Sequence, residues 1–361
     1  MVKGKAPLHM ITWRCTRRCV GSCLYCSYTP EYAVDAEVDT RTAYKIVDET
    51  YYFGVPWFGI SGGEPLLRKD IFDIAEYARK MGLEVSLITS GFVFDEKRLS
   101  NLVRNEIHTA VSIDGTRESN DQIRGKGSYD KALFALEKLS ENGILDCIVT
   151  TMTKHNIKDA EHIVKLAAEH GARMVVFHNL VPVGRAGPNM PDLAPSPEEY
   201  EAAFNNIYDL YIKYAGKIDV NVYAPFYARI FKQRNPAAFD DWYTKRFLGK
   251  CTFGGRYISL TENGDYRSCG FNEHYRLGNV KYKGLTETWD ELQHSTLHLK
   301  LRDKSNLKGK CGVCEYREIC GGCRTRAEYY TGDLFESDPA CAYVPKVLRE
   351  QKAASAPLFC S

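Results

Sequence analysis

"RCTRRCVGSCLYCSY", residues 14–28, sets Cys15, Cys19, Cys23 and Cys26 within twelve positions near the start of the chain. Thiolates are soft ligands, and four so close together point to a metal site. The intervals are three, three and two residues, so several three-cysteine subsets are possible. Which subset binds decides the chemistry. Cys15 lies in the alternating run "ITWRCT", which reads as the end of a first strand, and there a cysteine serves as a small buried hydrophobe.

The rest of the chain narrows the setting. Its 361 residues are enough for about two domains. A hydrophobic share of 44% with 26% charged residues fits a globular protein in water. The formal charge of +2 gives no nucleic-acid footprint. No run of 18 apolar residues suggests a membrane span, and "MVKGKAPLHMITW" lacks the apolar core of a secretory signal. A cytoplasmic protein is expected. Of thirteen cysteines, four lie in 15–26, one is Cys147, seven fall in 251–341 and one is Cys360. An odd count in a large intracellular chain argues against a disulfide framework and for metal or cluster ligation.

From about residue 8 to 190, short apolar runs alternate with amphipathic stretches. The strand candidates are "LHMITW", "WFGISGG", "EVSLITS", "TAVSIDG", "DCIVTTM" and "RMVVFHNLV". Helical spacing marks 41–53, 69–81, 96–105, 129–142 and 157–169, with Asp70, Asp95 and Asp130 near helix starts as caps. A strand–helix unit repeated about six times predicts a parallel sheet wrapped by helices, a closed or partial barrel with its chemistry after the strands' C-terminal ends. "VPVGRAGPNMPDLAPSPEEY", 181–200, reads as a crossover loop, 197–214 as a helix, and the stretch to about 247 as a linker. The cysteine-rich segment that follows is poor in apolar periodicity, and clusters would staple it.

Three thiolates on a short loop hold three irons of a [4Fe–4S] cube and leave the fourth open. Cys19, Cys23 and Cys26, with Tyr25 before the last, have that form. The loop resembles the CxxxCxΦC loop, Φ aromatic, of the radical SAM superfamily, whose open iron chelates S-adenosylmethionine. A zinc knuckle is the rival, but zinc usually takes four ligands from two separated pairs. Later segments strengthen the resemblance. "SGGEP", 61–65, implies a cradle for the cofactor's amino group through Gly62, Gly63 and Glu64. "SIDG", 112–115, and "RGKGSYDKA", 124–132, imply that Ser112 and Arg124 hold its carboxylate and that Asp114 lies near its ribose. "ITSG", 88–91, departs from the family's frequent T-N-G by having Ser90, which weakens a polar contact there. His178 falls in a region that borders adenine and substrate in the family, and reads as a packed or hydrogen-bonding histidine.

In the second half, Cys251 and Cys269 precede Cys311-x2-Cys314-x5-Cys320-x2-Cys323 and then Cys341. This resembles the SPASM extension, which carries two auxiliary iron–sulfur clusters of [4Fe–4S] type. The family's last central spacing is usually three residues where this chain has two. The resemblance implies that Cys311, Cys314, Cys320 and Cys341 close one cluster, while Cys251, Cys269 and Cys323 hold the other. The latter is one ligand short, with Cys360, another side chain, water or substrate as candidates. A zinc ribbon is the bland alternative. The domains expected are a partial (β/α)6 barrel over 1–240, a SPASM domain over 241–345 and a tail over 346–361.

The resemblance implies a reaction in which an external one-electron reductant, of flavodoxin or ferredoxin type, drives reductive cleavage of S-adenosylmethionine. A 5′-deoxyadenosyl radical then abstracts hydrogen from a substrate C–H bond. "CGVCEYREICGGCRTRAEYYTGD" and "VPVGRA" look most like SPASM enzymes that decarboxylate propionates or remove acetates from tetrapyrroles in haem-type biosynthesis. Arg185 and Arg256 are candidates to bind such carboxylates bidentately. The alternative is a maturase of a ribosomally made peptide or protein; the first strand begins near residue 8, so the leader-binding domain of many maturases is not expected. An iron–sulfur electron carrier is a third class, disfavoured because a carrier needs no cofactor cradle.

Overall fold

The computed structural model describes residues 8, 10–28, 37–245, 251, 253 and 257–355. Six strands stand where the apolar runs predict them: β1 (Met10–Arg14), β2 (Trp57–Ser61), β3 (Glu84–Thr89), β4 (His108–Ser112), β5 (Leu145–Met152) and β6 (Met174–Asn179). Each pairs in parallel with the next. Parallel order demands crossovers, and helices such as Thr40–Tyr52, Ile71–Lys80 and Ser128–Glu141 supply them. In the first, Ala43, Ile46, Val47 and Thr50 recur at helical spacing and are buried against the sheet.

The three aspartates expected as caps divide. Asp95 accepts from the Arg98 N–H at 2.8 Å and caps its helix. Asp70 makes no cap bond; its carboxylate takes Arg68 Nε at 2.7 Å and the Thr40 hydroxyl at 2.7 Å. Asp130 sits inside the first turn of Ser128–Glu141 and pairs with Arg117. Asp95 holds both the backbone N–H and the side chain of Arg98, while the carboxylates of Asp70 and Asp130 are turned to arginines instead of the helix end.

Two further differences lie past residue 180. The Pro- and Gly-rich segment contains a helix, Ala186–Leu193, with Pro191 inside it. The supposed linker contains β7 (Asp219–Tyr223), parallel to β6, and helices Tyr227–Arg234 and Pro236–Lys245. The cysteine-rich half is also not a separate sheet. Its strand β8 (Tyr257–Leu260) pairs in parallel with β1, and β9 (Asp265–Arg267) and β10 (Arg276–Asn279) follow antiparallel. The ten strands run β10-β9-β8-β1-β2-β3-β4-β5-β6-β7. The helix Leu285–His294 joins the same core, with Trp289 edge-on to Phe53 at 6.0 Å. Glu49 of the first helix accepts from the Tyr266 hydroxyl at 2.6 Å and the Leu285 N–H at 2.8 Å.

The sheet curves. On a flat sheet β1 and β6 would stand roughly 24 Å apart, five steps of about 4.8 Å. Here Arg185, after β6, touches the loop after β1: its Nη1 donates to the Cys23 carbonyl at 3.0 Å. The strands' C-terminal ends therefore surround one space, as in a partial barrel.

Candidate functional site

That space is an open cleft of about 1120 Å³, part of it open to solvent, bordered by the loop after β1 and by the ends of β2 to β6. Cys15 is outside its lining: it is fully buried and bonds through its N–H to the Ser61 carbonyl at 2.8 Å. Cys15 belongs to the sheet, as the alternation in "ITWRCT" indicates. Beyond it the cysteine loop lies directly on the loop after β2. Gly63 N–H donates to the Thr16 carbonyl and Glu64 N–H to the Arg18 carbonyl, each at 2.7 Å. A Cβ on Gly62 would come within 2.6 Å of the Thr16 oxygen, and one on Gly63 within 2.4 Å of the Arg18 oxygen. The glycines are there because two backbones touch.

Cys19, Cys23 and Cys26 border the cleft together with Tyr25, Gly62, Gly63, Ser112 and Arg124. Burial raises all three thiols, while Arg124 pulls Cys23 down and Arg185 and Arg124 pull Cys26 down. Two expected contacts stand behind the wall instead of in it. Glu64 is fully buried and absent from the lining. Its carboxylate accepts from the Ser90 N–H at 2.8 Å, the Ser90 hydroxyl, the Thr89 hydroxyl at 3.0 Å and the Leu66 N–H at 3.3 Å. Burial still raises its pKa, although those bonds oppose it. Glu64 thus ties β2 to β3, and Ser90, expected to weaken a contact, supplies two. Asp114 is likewise fully buried. It accepts from the Tyr25 hydroxyl at 2.6 Å, Arg124 Nη1 at 3.0 Å and the Thr151 N–H at 2.7 Å. It holds Tyr25 and Arg124 in place from behind.

Arg185, expected at substrate, braces the cysteine loop. Besides its bond to Cys23, its N–H donates to the Cys26 carbonyl at 2.8 Å, and Asn189 Nδ2 reaches the Leu24 carbonyl at 2.9 Å. Arg256 and Cys360 lie outside the described residues. His178 lines the cleft with its ring 5.0 Å from that of Tyr223, and burial drops its pKa to about 4, so it is neutral at working pH.

The other cysteines frame two smaller cavities. Cys311, Cys314, Cys320 and Cys341 border one of about 410 Å³ with Arg229, Lys310 and Tyr343. Cys251, Cys269 and Cys323 border one of about 420 Å³ with Phe253, Arg324 and Thr325. Asn179, Val181 and Phe271 line both this cavity and the large cleft, so the two share a wall. Arg326 and Asp338, both fully buried, form a two-point ion pair at 2.7 Å. Arg326 also donates to the Leu180 carbonyl of the barrel at 2.9 Å, and Asp338 accepts from the Cys323 N–H at 2.8 Å. Sequence reasoning missed Phe271, Asn179 and Arg324; the only signal was adjacency, two residues after Cys269 and one after Cys323. Cys147 lies buried in β5, remote from these ligand sets, against Ala110 and Val176.

All described cysteines are free thiols. Among the described residues, no three His, Cys, Asp or Glu side chains converge where a single metal ion could sit. Each set of thiols borders its own cavity.

The radical SAM superfamily profile matches residues 13–180. AdoMet-dependent heme synthase of Methanosarcina barkeri (strain Fusaro / DSM 804) is 33% identical over 346 residues, 93% of this chain and 97% of that one. This chain belongs to the radical SAM superfamily. Fe-coproporphyrin III synthase of the same organism is 30% identical over 356 residues, 94% of this chain and 88% of that one. Among solved structures, Streptococcus suis SuiB bound to precursor peptide SuiA superposes with a TM-score of 0.74 at 16% identity, covering 94% of this chain and 76% of that one. Membership makes the chain an enzyme with a [4Fe–4S] cluster that binds S-adenosylmethionine. The cleft fits that pair: three thiols, a glycine-lined floor, room beyond the thiols, and a buried Arg124 whose Nε has no partner among the described residues. Among the described residues no helix is long and apolar enough to cross a membrane.

Proposed function

We propose that this radical SAM enzyme oxidises a carboxylate-bearing side chain of a tetrapyrrole, removing a propionate carboxyl or an acetate in haem-type biosynthesis. The observation that carries the reading is the end-to-end match to two relatives named as heme and Fe-coproporphyrin III synthases. In this reading Cys19, Cys23 and Cys26 hold the S-adenosylmethionine cluster. Cys251, Cys269 and Cys323 hold one auxiliary cluster, and Cys311, Cys314, Cys320 and Cys341 the other, in a SPASM-type half. When bound, these groups supply one-electron chemistry, cleaving S-adenosylmethionine to methionine and a 5′-deoxyadenosyl radical and taking up an electron from the substrate.

The chain's own residues position and enclose. Tyr25 and Arg124, fixed by Asp114, face the cofactor, with Ser112 beside them. Arg124 offers its charge to the methionine carboxylate. Neutral His178 can donate one hydrogen bond without adding charge. Asn179, Val181 and Phe271 form the wall against which the substrate rests, between the cleft and the cavity of Cys251, Cys269 and Cys323. For a propionate the reaction balances as one hydrogen atom to the radical, one electron released, the carboxyl lost as CO2 and a C=C bond formed. The reductant would be a flavodoxin- or ferredoxin-type protein, and a reducing cytoplasm would suit the free thiols.

The test is anaerobic incubation with dithionite, S-adenosylmethionine and iron-coproporphyrin III or didecarboxysirohaem. Loss of CO2 and two hydrogens from the first, or of acetate from the second, with matching 5′-deoxyadenosine, supports the reading. Unchanged tetrapyrroles alongside a modified precursor peptide would replace it with peptide maturation.

A further inference from the structure

Arg324 lies between the two smaller cavities. It lines that of Cys251, Cys269 and Cys323. Its Nη2 faces Cys311 Sγ at 3.9 Å, and Cys311 lines the other. Its head also presses on the shared partition, since a Cβ on Gly322 would come within 2.7 Å of Arg324 Nη2. Gly322 borders the four-cysteine cavity. This explains the second glycine of "CGGC" independently of its turn.

The guanidinium is only 1% exposed. Nη1 donates to the carbonyls of Leu334 at 2.9 Å and Glu336 at 2.7 Å, while Nε has no partner. Among the described residues no carboxylate forms an ion pair with it; Asp338 has both oxygens on Arg326. Asp338 and Asp333 lie near enough for their charges to act on it, but a buried cation with no carboxylate in contact is still poorly compensated. Carbonyl dipoles satisfy hydrogen bonds but do not neutralise a charge. The Cys311 sulfur at 3.9 Å is a further acceptor on one side, and the cavity of Cys251, Cys269 and Cys323 lies on the other.

We propose that Arg324 is the shared counter-ion of the two auxiliary clusters and sets both of their potentials. The inference rests on the cluster assignment made above. A fixed positive charge favours the reduced, more negative form of a nearby cluster, so it raises the potential. One cation placed between two clusters raises both and leaves the more distant S-adenosylmethionine cluster little affected. It is a positioning residue for electron transfer, touching no substrate.

The experiment is an EPR-monitored redox titration of the reconstituted enzyme with wild type, Arg324→Gln and Arg324→Lys. Iron and sulfide are measured first, and content for about one cluster instead of about three would overturn the cluster assignment itself. With three clusters present, Arg324→Gln should make both auxiliary centres at least tenfold harder to reduce, about 59 mV per one-electron step. The S-adenosylmethionine cluster should stay in place, and Arg324→Lys should recover most of the shift. If Arg324→Gln does not assemble, Arg324→Met removes the same charge while filling the space, with a negative shift of both centres expected. Potentials that do not move, a shift confined to one auxiliary centre, or a lysine variant as shifted as the glutamine variant would each overturn the proposal.

Discussion

The two three-cysteine sites of this protein are built on opposite principles. Cys19, Cys23 and Cys26 come from one short loop, and the rest of the barrel mouth exists to hold that loop. Gly62 and Gly63 let it lie on the β2 loop, Arg185 and Asn189 hold its carbonyls, and Tyr25 is pinned to Asp114. The space in front is about 1120 Å³, far more than the thiols' own group needs. Cys251, Cys269 and Cys323 arrive from three distant segments around about 420 Å³. That cavity has little room of its own and opens onto the wall it shares with the first. Here the local loop is braced from outside and leaves space for a large co-ligand, whereas the composite site is small. In the proposed reading S-adenosylmethionine takes the first and the substrate's far edge meets the boundary.

The sharpest way to break the contrast is Gly63→Ala. Its methyl would collide with the Arg18 carbonyl at 2.4 Å, and backbone cannot yield as a side chain does. Iron analysis should show loss of one cluster of the three, and 5′-deoxyadenosine release should fall by about 100-fold or more. Retention of full iron with normal cleavage would show that the loop does not depend on this contact.

Asp338→Asn tests the composite site. It leaves Arg326 buried and unpaired, at a cost of about 3–5 kcal/mol in urea unfolding near neutral pH. Burial raises the Asp338 pKa, but the charge and hydrogen bonds of Arg326 and the Cys323 N–H prevail and hold it below the usual 3.8. The pair's contribution is therefore complete above that pH and is lost as pH falls through the lower folded value. The gap between wild type and variant should close in acid.

Phe271→Ala sharpens the shared wall. Removing it should uncouple the two spaces, with cleavage of S-adenosylmethionine retained and product per 5′-deoxyadenosine falling roughly tenfold as substrate positioning loosens. Equal losses of both would make Phe271 a packing residue only. The smallest effect is expected for Ser90→Ala, which removes a hydroxyl bond to the buried Glu64 carboxylate, worth about 1.5–3 kcal/mol of stability. S-adenosylmethionine affinity should change only a few-fold, since Glu64 stands behind the cleft wall.

The legible parts of the fold were those with local signals. Six strands followed from apolar runs, and Cys15 was separated from its three neighbours by strand alternation together with a spacing that does not match the family loop. β7, "DVNVY", alternates too, but five residues after a long helix gave too short a period to stand out. The pairing of β8 with β1 depends on residues about 250 positions apart and has no local trace. The same holds for side chains: "SGGEP" and "SIDG" marked the right loops, yet which residue faces the cleft depends on tertiary neighbours. Glu64 turns to Ser90, and Arg185 turns to Cys23 across 162 residues. Phe271, Asn179 and Arg324 carry no motif, because their roles come from where cavities meet.

The central claim is that Cys19, Cys23 and Cys26 hold the cluster that binds S-adenosylmethionine, with Cys15 left to the sheet. EPR of the dithionite-reduced enzyme, with and without S-adenosylmethionine, tests it in wild type, Cys19→Ala and Cys15→Ala. The account predicts that the cofactor perturbs the signal in wild type and Cys15→Ala. In Cys19→Ala only the auxiliary signals should remain, unresponsive to it. A response that survives in Cys19→Ala, or vanishes in a folded Cys15→Ala, would contradict the account.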